Sequence, residues 1–193
     1  MLPDLVLASS SPYRAALLQR LGVPFLTDRP DVDETLLTGE SPADAPLRLA
    51  EAKARRVVER HPNALVIGSD QLASLDGQPL AKPETLARAR IQLAAMSGAE
   101  VIFHTALVLL DGRTGQLQST VVPCHVGYRP LTADRIERYL AREPALDCAG
   151  STKIEALGIS LTRFVRCDDP TALIGLPLIT LVDFLTNAGV VIP

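Results

Sequence analysis

The chain has 193 residues, 47% of them apolar, and a formal net charge of -3 at pH 7. That is enough for one globular domain spanning residues 1–193, built as a single body or as two lobes around a cleft whose boundary the sequence does not mark. The acidic balance, the few aromatic residues and the lack of a basic run argue against a nucleic-acid binder, although a small anion needs only a local cluster of Lys and Arg.

No cationic stretch followed by a long apolar run opens the sequence, and no apolar run approaches the ~20 residues that span a bilayer. Neither a secretory signal nor a membrane partner is therefore expected. Cys124, Cys148 and Cys167 are odd in number and none is two residues from another. This predicts thiols in a reducing cytoplasm, with neither a disulfide framework nor a zinc knuckle. His61, His104 and His125 are scattered and read as surface or strand histidines rather than ligands.

Leu5 to Ala8 reads as a short buried strand and Pro12 to Leu21 as a helix, with Ser11 as N-cap and Pro12 as first helical residue. Gly22 closes that helix and "VPFLT" begins a second strand. The polar stretch 29–41 reads as a loop. A long helix is predicted from Pro42 to Arg60, with Leu47, Ala50, Ala54, Val57 and Val58 as its buried stripe. At about 100° per residue Lys53 falls on the flank of that stripe, where its stem can lie on apolar surface and its ammonium enter a cleft.

"ALVIGSD" reads as a central strand that ends at Ser69 and Asp70, and "SLDGQPL" carries an Asp-Gly hairpin signal. Thr85 to Met96 is helical. "EVIFHTALVLL" and "LQSTVVPCHVGYR" read as two long strands joined across "DGRTG". Helices follow at Thr132 to Arg142 and near Leu176 to Asn187. Strands mixed with helices, including one long two-stranded excursion, predict an α/β fold with a mixed sheet and flanking helices.

"LVLASSSPYR" has no glycine, yet a strand turning sharply into a helix aims free backbone N–H groups, and the positive end of the helix dipole, at the turn. Ser9, Ser10 and Ser11 add hydroxyls and Arg14 a guanidinium fork, which makes a seat for phosphates. Plain helix capping by Ser11 explains the same residues. Asp70, at a strand end, suits a metal or a proton taken from attacking water, although a turn aspartate that caps the next segment is the commoner fate of a lone Ser-Asp pair. Glu34, Lys53, Lys82, Lys153 and Glu155 complete a charge inventory fit for a polyphosphate and a metal, but spacing does not show that they converge.

In order along the chain, "LASSSPYR", "VDE", "RLAEAKA", "IGSDQ", "LDGQPLAKP", "CAGSTKIE" and "LIGLPL" resemble the Maf-like nucleoside triphosphate pyrophosphatases. The resemblance implies an elongated mixed sheet in two lobes around a central cleft, similar to the inosine triphosphate pyrophosphatases. It also implies cleavage of a nucleoside triphosphate between its α and β phosphates, with a divalent metal, Mg²⁺ or Mn²⁺. On the matching positions Asp70 becomes the proton acceptor. Ser9, Arg14, Lys53 and Lys82 become phosphate contacts, and Glu34 joins Asp70 on the metal side. Lys153 is a further site candidate. Some members of the family pair, which leaves a homodimer open.

Two departures stand out. Ala81 precedes Lys82 where many members have glycine, and Ala52 stands where a glutamate commonly precedes the clamp lysine. Glu51, one place earlier, is turned about 100° around the helix and gets no catalytic role.

Three positions report the base. Members acting on dTTP and UTP carry arginine, threonine and glutamine where this chain has Tyr13, Gln71 and Glu155, so it resembles the branch acting on 7-methyl-GTP. Tyr13 stands where a tryptophan is often seen. A cationic 7-methylguanine stacks on an aromatic face, and a Glu155 carboxylate can accept from the guanine N1–H and amino edge. The same reaction on pyrimidine or other modified triphosphates, and a non-catalytic nucleotide-binding regulator of cell division, are the alternatives.

Overall fold

Leu65, Val66 and Ile67, and likewise Ala106 to Leu110, are buried without a break, and since successive strand residues point to opposite sides the sheet is covered on both faces. The computed structural model describes residues 4–192, and Met1, Leu2, Pro3 and Pro193 lie outside the described residues. The strands are β1 (Leu5–Ala8), β2 (Leu26–Asp28), β3 (Leu65–Leu75), β4 (Gln78–Leu80), β5 (Glu100–Asp111), β6 (Leu117–Tyr128) and β7 (Thr162–Cys167). The helices are α1 (Pro12–Gln19), α2 (Asp44–Val58), α3 (Leu86–Ala95), α4 (Ala133–Arg142) and α5 (Leu178–Asn187). Ser11, Thr85 and Thr132 cap α1, α3 and α4 through their hydroxyls, and Pro12 opens α1.

One mixed sheet runs β2-β1-β3-β5-β6-β7, with β4 also paired to β3. On one face α2 packs its Ala50, Ala54 and Val57 against Val6, Val66, Ala106 and Val108. On the other, α1 and α5 cover one end through Leu17, Leu18, Leu181 and Leu185, against Leu7, Ile67 and Leu107. At the far end of the long strands the same face carries α3 and α4, whose Leu93, Ile136 and Tyr139, with Met96 just past the end of α3, meet Val101, Phe103 and Val126. Leu47 and Val58, expected in the stripe of α2, are only half-buried, and Leu49 takes the inner place instead.

The central strand corrects one expectation. β3 does not end at Asp70 but runs on to Leu75, because it pairs without a break with β5 from Leu65↔Asp111 to Leu75↔Val101. Its other edge is covered in two pieces. β1 pairs with it in parallel over Leu65, Val66 and Ile67, and β4 pairs antiparallel over Ala73, Ser74 and Leu75. Gly68 to Leu72 lie in the gap between those partners, so Asp70 stands mid-strand at an opening in the sheet edge. The β3–β4 turn is Asp76-Gly77 with both residues at positive φ, as the hairpin signal predicts.

The cysteine expectation is corrected too. Cys124 and Cys167 form a disulfide, directly opposite each other on β6 and β7 with Cα atoms 4.5 Å apart. They are 43 residues apart in the chain, so only strand register brings them together. Cys148 is free. Among the described residues no helix is long and apolar enough to cross a membrane.

Candidate active site

A cavity of about 520 Å³ opens at the gap in the edge of β3. Ser9, Tyr13, Arg14, Glu34, Lys53, Asp70, Gln71, Lys82 and Glu155 all line it, although they come from six separate stretches of the chain. Spacing alone could not show this convergence. Lys153 is at the rim beside Tyr13 rather than in the wall, 5.7 Å from the ring centroid.

Lys53 is the centre of charge. It is 4% exposed, and its Nζ lies 2.5 Å from Oδ1 of Asp70 and 2.6 Å from Oε1 of Glu34. Gly68 sets this geometry: a Cβ there would land on the Ala50 carbonyl oxygen and press on the Ala54 side chain. Glycine thus lets α2 approach β3 closely, and Lys53, one turn past Ala50, reaches the carboxylate two residues past Gly68. Glu34 arrives on the loop 29–43, which Arg48 of α2 ties down through Glu40 Oε1 at 2.5 Å and the Thr35 carbonyl at 3.2 Å. Burial pushes the Glu34 carboxyl up, but the hydrogen bond and charge of Lys53, with Lys82 and Arg14 behind, outweigh it and hold the group below its usual range.

The serine-rich turn follows the predicted geometry. Ser11 accepts from the Arg14 N–H at 3.4 Å, and Ser9 accepts from the Ser11 N–H at 3.1 Å. The Arg14 guanidinium donates to the Gly175 carbonyl at 2.9 Å through Nε and to Ser9 at 3.4 Å through Nη1. Burial lowers its pKa, opposed by the charges of Asp70 and Glu34, and the group stays a cation. The motif "LIGLPL" acquires a physical reason here. Gly175 sits at φ +119, and its carbonyl also accepts from the Ser69 hydroxyl at 2.9 Å. Asp169, 2% exposed, fixes this segment by accepting from Thr171 and from the Ile179 N–H at the start of α5.

Gln71 faces the same segment. Its amide nitrogen donates to the carbonyls of Ala172 and Leu173 and to the Thr105 hydroxyl, which leaves its carbonyl oxygen for the cavity. At that end Asp147, Cys148, Thr152 and Glu155 form the wall. The Lys153 ammonium lies 3.3 Å from Asp147. The Tyr13 side chain raises its pKa most; burial opposes this, and Asp147 adds to the rise. Burial and the Asp147 charge push the Cys148 thiol up to about 12, so it is neutral at pH 7 and no nucleophile.

Sequence reasoning missed Asp147, Asp169 and Gln92, the last of which joins two walls of the cavity. Asp169 had a signal, an aspartate two residues before a threonine, which is the pattern of an Asx turn. Asp147 adjoins "CAGSTKIE", and Gln92 had none.

The charges divide along the cavity. Arg14, Lys53 and Lys82 oppose Glu34 and Asp70 at one end, whereas Asp147 and Glu155 oppose Lys153 at the other. Among the described residues no three His, Cys, Asp or Glu side chains cluster to hold a metal by themselves. Two carboxylates on one cavity wall do fit a hard cation such as Mg²⁺, which commonly takes one or two protein carboxylates and completes its shell with phosphate oxygens and water.

A family model described as Maf-like protein matches residues 4–188. The chain is 56% identical over 192 residues to a 7-methyl-GTP pyrophosphatase of Xanthomonas axonopodis pv. citri, covering 100% of both chains. It is 55% identical over 189 residues to one of Aromatoleum aromaticum, covering 98% of this chain and 97% of the other. A 7-methyl-GTP pyrophosphatase of Pseudomonas syringae pv. tomato is 52% identical over 192 residues, again with 100% of both covered. With a family match over nearly its whole length and relatives this similar, the chain belongs to the Maf-like protein family.

Proposed function

We propose that this protein hydrolyses 7-methyl-GTP to 7-methyl-GMP and pyrophosphate, clearing a modified nucleotide. The division of charge along one cavity carries the reading: surplus cations at the serine end and surplus carboxylates at the Glu155 end. 7-Methyl-GTP has the complementary pattern, an anionic triphosphate and a cationic base. The names of the similar proteins point the same way.

In this reading the β and γ phosphates lie on the N-terminal turn of α1, against Ser9, Arg14 and Lys82. Asp70 accepts a proton from water as the water oxygen attacks the α-phosphorus. The bond from that phosphorus to the α–β bridging oxygen breaks, and pyrophosphate departs with the electron pair. Lys53 holds Asp70 and Glu34 in place and offsets charge on the transferring group. A divalent cation, Mg²⁺ or Mn²⁺, would be held by Glu34 and Asp70 with phosphate oxygens, and when bound it supplies charge neutralisation at the phosphates. Tyr13 offers a face for the methylated ring, and Glu155 accepts from the guanine N1–H and amino group.

The test is pyrophosphate release from 7-methyl-GTP, GTP, dTTP, UTP and CTP with Mg²⁺ or Mn²⁺, beside Asp70→Asn. Turnover of 7-methyl-GTP above the others, lost in Asp70→Asn, is the expected result. A preference for dTTP or UTP would keep the reaction and refute the base assignment. Binding without turnover of any nucleotide would refute catalysis.

A further inference from the structure

Two walls of the cavity are irregular segments with little regular structure to fix them. One is the stretch from Ala81 to Glu84, which carries Lys82. The other runs from Leu146 to Glu155 and carries Asp147, Lys153 and Glu155. One side chain of α3 bridges them. The Gln92 amide nitrogen donates to the Ala81 carbonyl at 2.7 Å, next to Lys82. Its amide oxygen accepts from the Ser151 hydroxyl at 2.5 Å, two residues before Lys153 and four before Glu155.

The chemistry allows only this orientation, because a carbonyl needs the NH₂ side and the hydroxyl can donate to the oxygen. Ser151 is fully buried and sits at φ 55, a region that side-chain-bearing residues rarely adopt. Its hydrogen bond to Gln92 therefore holds the backbone where it turns toward the base end. A second tie joins the walls directly, from the Glu84 N–H to the Leu146 carbonyl at 3.1 Å. Beyond Ser151, Thr152 is held by the Tyr128 hydroxyl and the Lys153 N–H by the Tyr139 hydroxyl, so a shift at Ser151 is passed to an ordered segment.

We propose that Gln92 is a positioning residue that couples the phosphate clamp at Lys82 to the base-reading segment that carries Glu155. This rests on the activity proposed above. Gln92 does not line the cavity and touches no substrate; it acts through Ala81 and Ser151.

Three variants separate its two bonds. Gln92→Leu removes both. Gln92→Glu keeps an acceptor for Ser151 but sets an oxygen against the Ala81 carbonyl, and Ser151→Ala removes only the base-side bond. For Gln92→Leu, KM for 7-methyl-GTP rises and preference over GTP falls, each roughly 3- to 10-fold, the scale of one neutral hydrogen bond. Gln92→Glu raises KM with preference kept, and Ser151→Ala lowers preference with KM nearly kept. A merely structural role would move KM, kcat and preference together in step with Tm, and that result, or unchanged kinetics, overturns the proposal. If the wild type cleaves no nucleotide, the activity reading falls, and hydrogen–deuterium exchange decides the coupling. Faster exchange across both 80–84 and 146–155 in Gln92→Leu supports it, and exchange unchanged in either segment refutes it.

Discussion

The Lys53 ammonium stands 2.5 Å from Oδ1 of Asp70, almost wholly buried, and holds Glu34 in the same grip. One cation thus organises two carboxylates that the sequence places 36 residues apart, on a loop and in the middle of a strand. Neither carboxylate is positioned by a rigid neighbour alone, so the geometry of the site depends on where α2 delivers that ammonium.

Lys53→Met is expected to fold, since Met fills a similar volume, and to lose about 10²- to 10³-fold in kcat, the scale of removing one preorganised charge from a reacting phosphate site. It should also shift the acid limb of the pH profile. Glu34 has a folded-state pKa depressed by Lys53, so its favourable interaction is fully present above the ordinary value of 4.5 and is lost as pH falls through the lower folded value. Without Lys53 that interaction is gone, burial is opposed only by the more distant Lys82 and Arg14, and Glu34 takes up its proton at higher pH. Carboxyl titration by NMR and kcat against pH read both effects, and a kcat within threefold of wild type would sink the assignment.

Gly68→Ala tests the approach of α2. The added Cβ would strike the Ala50 carbonyl, so the helix must retreat from β3 and carry Lys53 away from Asp70. Overpacking of this kind costs about 1–3 kcal/mol, a fall of roughly 3–10 °C in Tm for a chain of this size. The distinctive expectation is that kcat falls as well. Stability lost with kcat unchanged would show that the Lys53–Asp70 distance does not matter for turnover.

Most elements were legible in the sequence because their signals are local. Ser11-Pro12 and Asp76-Gly77 act within a turn of themselves, and each appears where its chemistry puts it. The stripe of α2 was readable to within a residue or two. The course of β3 past Asp70 was not, because a polar residue in mid-strand looks like a strand end until its partner β5 is known. The pairing of Cys124 with Cys167 and the two-sided grip of Gln92 depend on register and on loop paths, which leave no periodic trace. The residues around the cavity were readable as types, but their meeting at the gap in the sheet edge was a tertiary fact.

Cys148 gives a test of the electrostatics at the base end. Its thiol is pushed up to about 12 from an ordinary 9.0, first by burial and then by Asp147. At pH 7.5 the thiolate fraction is therefore far smaller, and although the more basic thiolate is the better nucleophile, alkylation should be slower than for a free thiol by roughly 10-fold or more. Iodoacetamide labelling followed by mass spectrometry measures this. Asp147→Asn should speed it, and rapid labelling of the wild-type protein would show that neither burial nor Asp147 holds the thiol neutral at this wall.

Glu155→Gln addresses the base directly. Glu155 lines the cavity where Asp147 and Lys153 nearly cancel, so it supplies the net negative charge at that end. A glutamine keeps the shape and one acceptor oxygen but loses the charge and turns an N–H₂ toward donors on the guanine edge. A charge-assisted pair is worth about twice a neutral one, so preference for 7-methyl-GTP over UTP should fall by roughly 10-fold or more. Turnover of the poorer substrate should hold or rise, because Asp70, Lys53 and Arg14 lie at the other end. A preference left intact, with kcat falling on every substrate alike, would mean that Glu155 serves the reaction centre and not the base.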